Sequence, residues 1–258
     1  MYTKQDLTRQ LAQMGLTGED RVMVHSSMKA IGQVEGGADG VLDALMDYFR
    51  TLLVLPTHTW ATIGWDRPVC DLRSEPSCVG LLTNRFMKRP GVLRSCHPTH
   101  SVAASGFMAG HYVSGEIYSR TPCARGGCWG KLLSMQAKIL FVGCPLSRNT
   151  FIHGVEEWNH IPNRLDERLQ PLWVVTADGR KLPHPQHRHE APCGDVSANY
   201  DKLLPAFLAK GIATEGRLGD AVCYACDAAG MYALTSQFLA RNPDLFADHE
   251  PIDESWYR

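Results

Sequence analysis

Apolar positions along the chain switch between helical spacing and short continuous runs. Residues 4–14 read as an opening helix closed by Gly15. Arg21-Val22-Met23-Val24-His25 reads as a short strand bounded by Asp20 and Ser26-Ser27. After Gly36-Gly37, residues 38–49 place Val41, Leu42, Leu45, Met46 and Phe49 on one helical face. Leu52-Leu53-Val54-Leu55-Pro56 is a continuous apolar run, as expected of a strand covered on both faces. The same alternation predicts a helix over 78–88, a strand at 101–104, a short helix at 130–135, a buried strand at 139–143 and a helix at 150–158. Residues 171–176 and 181–182, joined through Asp178-Gly179, read as a β-hairpin. Residues 199–210 and 231–241 read as late helices. Alternating strands and helices predict an α/β fold, and the hairpin makes its sheet mixed. Residues 183–194, rich in Pro, His and Cys, form the longest candidate loop. With no repeat and no linker, residues 1–258 are expected to form a single domain.

Composition narrows the class. Of 258 residues, 44% are hydrophobic and 21% charged, enough to build a core. The formal net charge of −1 gives no electrostatic basis for binding nucleic acid or an anionic membrane. Met1-Tyr2-Thr3-Lys4-Gln5-Asp6 lacks the apolar region of a secretory signal, and no apolar run is long enough to span a bilayer. A soluble, cytoplasmic protein is the expectation. Nine cysteines, an odd number in scattered contexts, read as packed thiols rather than a disulfide framework.

Three segments carry candidate chemistry. In the first, a strand ending at His25-Ser26-Ser27 is followed by Met28-Lys29 and the Gly36-Gly37 turn into a helix. Free backbone N–H groups and a helix N-terminus can hold phosphate, although such glycines also serve merely as a tight turn. The second, His97-Pro98-Thr99-His100-Ser101, taken alone is a polar turn. The third is Asn149-Thr150-Phe151-Ile152-His153-Gly154-Val155-Glu156-Glu157, in which Thr150 is a plausible N-cap. His153 lies three residues from Glu156 and four from Glu157, so either carboxylate can reach the imidazole. A carboxylate beside a histidine fixes its tautomer and stabilises the imidazolium formed in proton transfer. The same spacing also occurs in surface ion pairs.

Read in order, these segments resemble the aminoglycoside 3-N-acetyltransferase family. The elements are His25-Ser26-Ser27-Met28, Gly36-Gly37, Pro56-Thr57-His58-Thr59, His97-Pro98-Thr99-His100-Ser101, Trp129-Gly130-Lys131-Leu132, and Asn149-Thr150 with His153 and Glu156. They span residues 8–160 and continue more loosely to the end. The resemblance implies an acetyl-coenzyme A-dependent N-acetyltransferase that confers antibiotic resistance. Its fold would be α/β and distinct from that of the small N-acetyltransferase superfamily, its acceptor a small-molecule amine (the 3-amino group of an aminoglycoside's 2-deoxystreptamine ring), and no metal would be required. It leaves the oligomeric state open. By the same resemblance His25, Ser26, Ser27, Met28, Lys29, Gly36 and Gly37 line coenzyme A, with Thr57 and Ser101 near the thioester. His153 is the base, with Glu156 and Thr150 beside it, and Glu156, Glu157 and Asp195 are carboxylates for a cationic acceptor. The sequence departs from the family at residues 118–127, where Arg120 stands in place of an acidic residue.

The simplest chemistry is direct attack of the amine on the thioester, with His153 taking the proton. Positioned proton transfer of this kind is worth about a hundred- to ten-thousandfold. Thr57, Ser101 and Thr150 are unranked candidates to stabilise the oxyanion. An acetyl-cysteine route through Cys96, Cys123, Cys128 or Cys144 is the chemical alternative. Three further readings stand beside it. Gln33-Val34-Glu35-Gly36-Gly37-Ala38 fits the Q-x-x-G-x-A coenzyme A loop of the small superfamily. His184, His187, His189 and Cys193, or Cys223-Tyr224-Ala225-Cys226, are possible zinc ligands. The chain could also acetylate a non-aminoglycoside amine, or bind coenzyme A without catalysis.

Overall fold

The computed structural model describes residues 1–258. Its strands are β1 (Arg21–Ser26), β2 (Leu52–Pro56), β3 (Val69–Asp71), β4 (Leu93–Arg94), β5 (Val102–Ser105), β6 (Lys138–Val142), β7 (Trp173–Val175), β8 (Lys181–Pro183), β9 (Ala213–Leu218) and β10 (Ala221–Asp227). Its helices are α1 (Lys4–Gln13), α2 (Met28–Ile31), α3 (Gly37–Tyr48), α4 (Leu81–Phe86), α5 (Ala109–Val113), α6 (Cys128–Ser134), α7 (Thr150–Trp158), α8 (Leu204–Ala209) and α9 (Ala228–Arg241). None is long and apolar enough to cross a membrane.

Seven strands form one sheet in the order β4-β5-β2-β1-β6-β10-β9. β1 pairs in parallel with β2 on one side and β6 on the other, while β5, β4, β10 and β9 add antiparallel edges. The apolar runs are continuous because helices cover both faces. Met23, Val54, Ile139 and Phe141 point into one core with α6, α7 and α9. Val22, Val24, Leu53 and Leu140 point into the other with α1 and α3. Their alternation follows the two-residue period of a strand. The sheet is mixed as expected, but for a different reason. The hairpin is β7 and β8, and it joins β3 in a separate three-stranded sheet rather than the main one.

The sequence pattern missed β9 and β10; β9 is an edge strand whose apolar ends are separated by exposed Thr214, Glu215 and Arg217, and β10 lies between it and β6. Residues 199–210 are not one helix but a 3₁₀ segment, Val196–Leu203, running into α8. Cys223 and Cys226 lie on β10 an odd number of residues apart, so they face opposite cores and cannot share an ion. His184, His187 and Cys193 do not converge either. His184 bonds the Glu116 carbonyl and Gln186, His187 bonds the Asp166 carbonyl, and Cys193 is exposed.

The parallel strands β2, β1 and β6 all end at the same edge, with the chain leaving β1 toward β2 and later returning to β6 on the opposite side. Such a switch point leaves a crevice beyond the strand ends. Gly143 lies there, with φ +59°, and a Cβ on it would stand 2.2 Å from Ala30 Cβ and 3.1 Å from Ala221 Cβ. Gly143→Ala is expected to lower stability by about 1–3 kcal/mol, the usual range for overpacking. Urea denaturation should show a lower midpoint at an unchanged m-value.

Candidate active site

A cavity of about 1010 Å³ opens at this crevice. Its walls include His25, Ser26 and Ser27 from the end of β1, Pro56 and His58 from the end of β2, and Gly143 to Pro145 after β6. Thr150 and His153 of α7 reach it from the helix that follows, and the 188–197 loop covers part of it.

His153 is held by a buried chain of hydrogen bonds. Its Nδ1 is 2.7 Å from the Tyr200 hydroxyl, which donates to Glu156 Oε2 at 2.5 Å. Arg164 Nε donates to Glu156 Oε1 at 2.6 Å. Glu156 itself stands 3.7 Å from His153 Nδ1, beyond hydrogen-bonding distance, so Tyr200 fills the gap. The hydroxyl has one proton. Because Arg164 favours an ionised Glu156, that proton points to the carboxylate, and the tyrosine oxygen accepts from Nδ1–H. Nε2 is left as the unprotonated nitrogen and makes no bond within the protein. Burial pushes the His153 pKa well down, and the neighbouring His189, His58 and Arg164 push the same way. Burial raises Glu156 while Tyr200 and Arg164 oppose it, and burial together with Glu156 holds the Tyr200 phenol well above its ordinary value.

Glu157, the next residue, faces elsewhere. Its Oε1 accepts from His189 Nε2 at 2.7 Å and from the Cys123 backbone N–H at 3.0 Å. The His189 and His153 rings stack with centroids 4.3 Å apart. His100 meets His189 edge-on at 5.3 Å and lies 4.8 Å from His58. His58 Nε2 reaches Thr150 Oγ1 at 3.2 Å, and its ring lies over Trp129. His25 stacks on Phe141, and burial lowers the pKa of both His25 and His58 to about 3. These two imidazoles are therefore neutral at the cavity wall.

Several expected site residues lie elsewhere. Thr57 and Ser101 are buried away from the cavity, bonded hydroxyl to hydroxyl at 2.8 Å, with Arg94 Nε donating to Ser101. Their hydroxyls brace the end of β2 against the start of β5. The His97 segment folds on itself, its Nδ1 accepting the backbone N–H groups of Thr99 and His100. Asn149, not Thr150, occupies the N-cap position of α7, and Thr150 is the first helical residue. Glu156 and Glu157 are committed to Tyr200, Arg164 and His189, so neither is free for an acceptor. Asp195 does line the cavity, at the exposed end of the loop, and there also accepts the Ser197 backbone N–H. Met28, Lys29, Gly36 and Gly37 do not line the cavity. Gly36 and Gly37 have φ +73° and +60°, and the space above Gly37 is open. Arg120 is exposed and bonds the Ile117 and Ser119 carbonyls, outside the cavity. Sequence reasoning missed the site roles of Tyr200, Arg164 and His189. The only available signal for His189 was its place in a histidine-rich loop, and none existed for the other two.

The family described as aminoglycoside 3-N-acetyltransferase matches residues 23–240. An aminoglycoside N(3)-acetyltransferase III of a Salmonella species is 25% identical, with 99% of this chain and 98% of the relative aligned. A type VII enzyme of Streptomyces paromomycinus is 29% identical, with 79% of this chain and 75% of the relative aligned. Among solved structures, AAC-IIIb with bound CoASH superposes with a TM-score of 0.81 at 23% identity, over 93% of this chain and 97% of that one. Aminoglycoside acetyltransferase AAC(3)-Xa superposes with a TM-score of 0.81 at 25% identity, over 92% of each chain. With a match spanning most of its length, the chain belongs to the aminoglycoside 3-N-acetyltransferase family.

Proposed function

We propose that the protein transfers the acetyl group of acetyl-coenzyme A to an amine of an aminoglycoside-type acceptor, by direct attack with His153 as general base. One observation carries this reading. His153 sits in the cavity wall with Nδ1 tied through Tyr200 to the Glu156–Arg164 pair, which leaves Nε2 to take a proton. The relatives' names supply the reaction class, and AAC-IIIb was solved with CoASH.

The cavity fits an acyl-coenzyme A and a second small molecule, being at the upper end of the range for ligand sites. Arg148 lines it, is exposed and has no ion-pair partner, so it suits a phosphate. Ser26 and Ser27 offer hydroxyls on the same wall, and the Gly36-Gly37 turn presents the N-terminus of α3 at this end of the sheet. When bound, the thioester supplies an activated acetyl group. Thr150, with its hydroxyl and the unpaired amides of the first turn of α7, is placed to hold the oxygen that gains charge.

A second acceptor class is favoured by one feature of the walls. Glu190 and Asp195 are the cavity's only carboxylates besides the buried pairs, while Arg148 and Arg188 face it as cations. A simpler amine would suit such walls better than a polycation. Release of free thiol against gentamicin-, kanamycin- and neomycin-type acceptors and simple amines distinguishes the two classes.

His153→Ala is expected to abolish turnover while acetyl-coenzyme A affinity stays near wild type. Residual activity above a few per cent in a folded variant, measured by thiol release, excludes His153 as the base. Tyr200→Phe removes the bridge without removing either end. It should lower kcat by about ten- to a thousandfold, as expected for lost orientation and charge stabilisation, with KM for acetyl-coenzyme A little changed. An unchanged kcat in steady-state assays means that Glu156 does not act on His153 through the tyrosine.

A further inference from the structure

We propose that His189, paired with Glu157, is a second proton acceptor of the site, and that it converts the incoming ammonium to the free amine before His153 acts. This rests on the acetyl-transfer reading above. The two histidines are stacked, and both line the cavity. Each has one ring nitrogen bound to the α7 carboxylate system and the other unbonded within the protein: Nε2 of His153, and Nδ1 of His189. The His189 backbone is also fixed. Leu165 and His189 form an antiparallel bridge, with Asp166 N–H donating to the Arg188 carbonyl and Glu190 N–H to that of Arg164.

The two dyads differ in charge. Glu156 is already neutralised by Arg164, so protonating His153 adds a net positive charge to a buried site. Glu157 has no cationic side chain other than His189, and its further partner is the neutral Cys123 amide. Protonating His189 therefore completes an ion pair. The other groups facing His189 are His100 and His58, which burial keeps neutral, His153 on its stacked face, and the Cys123 thiol, which lies within 4.8 Å of the pair and which burial holds protonated. Arg188 and Glu190 flank it in the chain. Charge balance thus places the proton of an ammonium acceptor beside Glu157 on His189, and leaves His153, whose carboxylate Arg164 already pairs, to accept one only as the bond forms.

The proton count requires two such steps. R–NH₃⁺ first gives one proton to His189 Nδ1, and the imidazolium pairs with Glu157. The amine lone pair then forms the C–N bond to the thioester carbon, and the second proton passes from nitrogen to His153 Nε2. The C–S bond breaks with its electron pair on sulfur, which takes that proton from His153. His189 returns the first proton to solvent at the mouth. The sum is amide, free thiol and one released proton.

The test compares His189→Asn and Glu157→Gln with wild type under saturating acetyl-coenzyme A, with thermal melting as a check on folding. The acceptors are a gentamicin-type aminoglycoside and an acyl hydrazide, whose terminal nitrogen is uncharged at pH 7. Both variants should lose about tenfold or more in kcat/KM with the aminoglycoside at pH 7. That loss should shrink as pH rises and the acceptor deprotonates in solution, and rates with the hydrazide should stay within about twofold of wild type. A loss that is equal for both acceptors and at every pH, or no loss at all, overturns the proposal. His153→Ala should be inactive with both acceptors throughout. Activity in that variant would instead sink the base assignment while leaving the His189 comparison to be judged separately.

Discussion

The pairing of Glu156 with Arg164 is the interaction on which the site depends. A carboxylate this deep in the core is destabilised as an anion, and without the guanidinium it would take up a proton. Tyr200 would then have no anion to donate to, and its hydroxyl could turn toward His153 Nδ1. That change reverses the imidazole tautomer and places a hydrogen on the nitrogen facing the cavity. A buried ion pair seldom adds net stability, but removing one partner typically costs about 3–5 kcal/mol. Arg164 also donates to the Pro162, Asn163 and Pro243 carbonyls, tying the segment after α7 to the chain following α9. One side chain thus joins the proposed base to the fold, and its loss would be felt in both.

Histidine is concentrated around this pair. Seven of the eleven histidines (25, 58, 97, 100, 153, 184 and 189) form a contiguous group with Trp129 and Phe141. Burial is the first cause of the lowered pKa in six of them. The interior wall therefore offers oriented dipoles rather than charge, and the free carboxylates, Glu190 and Asp195, sit on the exposed loop at the rim. Glu190 and Asp195 offer an ammonium group partners at the rim, and the histidine wall offers it none, which agrees with the proposed delivery of a neutral amine to the thioester. The gradient comes from the depth at which each residue type is placed, with no additional device required.

Much of this was legible in the chain. The continuous runs at β2 and β6 gave strands covered on both faces, and α7 runs over Thr150–Trp158 as its pattern predicts. What periodicity could not show is which side of α7 faces the core. Glu156 and Glu157 look alike in sequence, but the helix turns the first toward Arg164 and Tyr200 and the second toward Cys123 and His189. Tyr200 lies 47 residues from His153 and Arg164 lies eight from Glu156, both in stretches that read as ordinary helix or loop. A hydrogen-bond chain assembled by tertiary packing leaves no spacing signal. Thr57 and Ser101 show the converse: they sit in family motifs, yet the geometry assigns them to bracing the sheet.

The same geometry bears on the choice between direct transfer and an acetyl-enzyme. A cysteine nucleophile needs a thiolate, which requires a nearby base or cation and access to the thioester. Of the four thiols near the motifs, Cys123 and Cys128 are fully buried, with burial pushing both well above their ordinary pKa, and Cys96 is raised by burial as well. Of these four only Cys144 lines the cavity, and burial holds it at about 11 with no histidine bonded to it, while Cys78, exposed on the same wall, has no base hydrogen-bonded to its thiol. His153 and His189 each have one ring nitrogen tied to a carboxylate system and the other free, and no thiol hydrogen-bonds either of them. A cysteine must be ionised before it can attack, whereas a neutral amine attacks through its lone pair and gives up its proton only as the C–N bond forms. This favours the proposed direct transfer, since no cysteine on the cavity wall is hydrogen-bonded to a base that could ionise it.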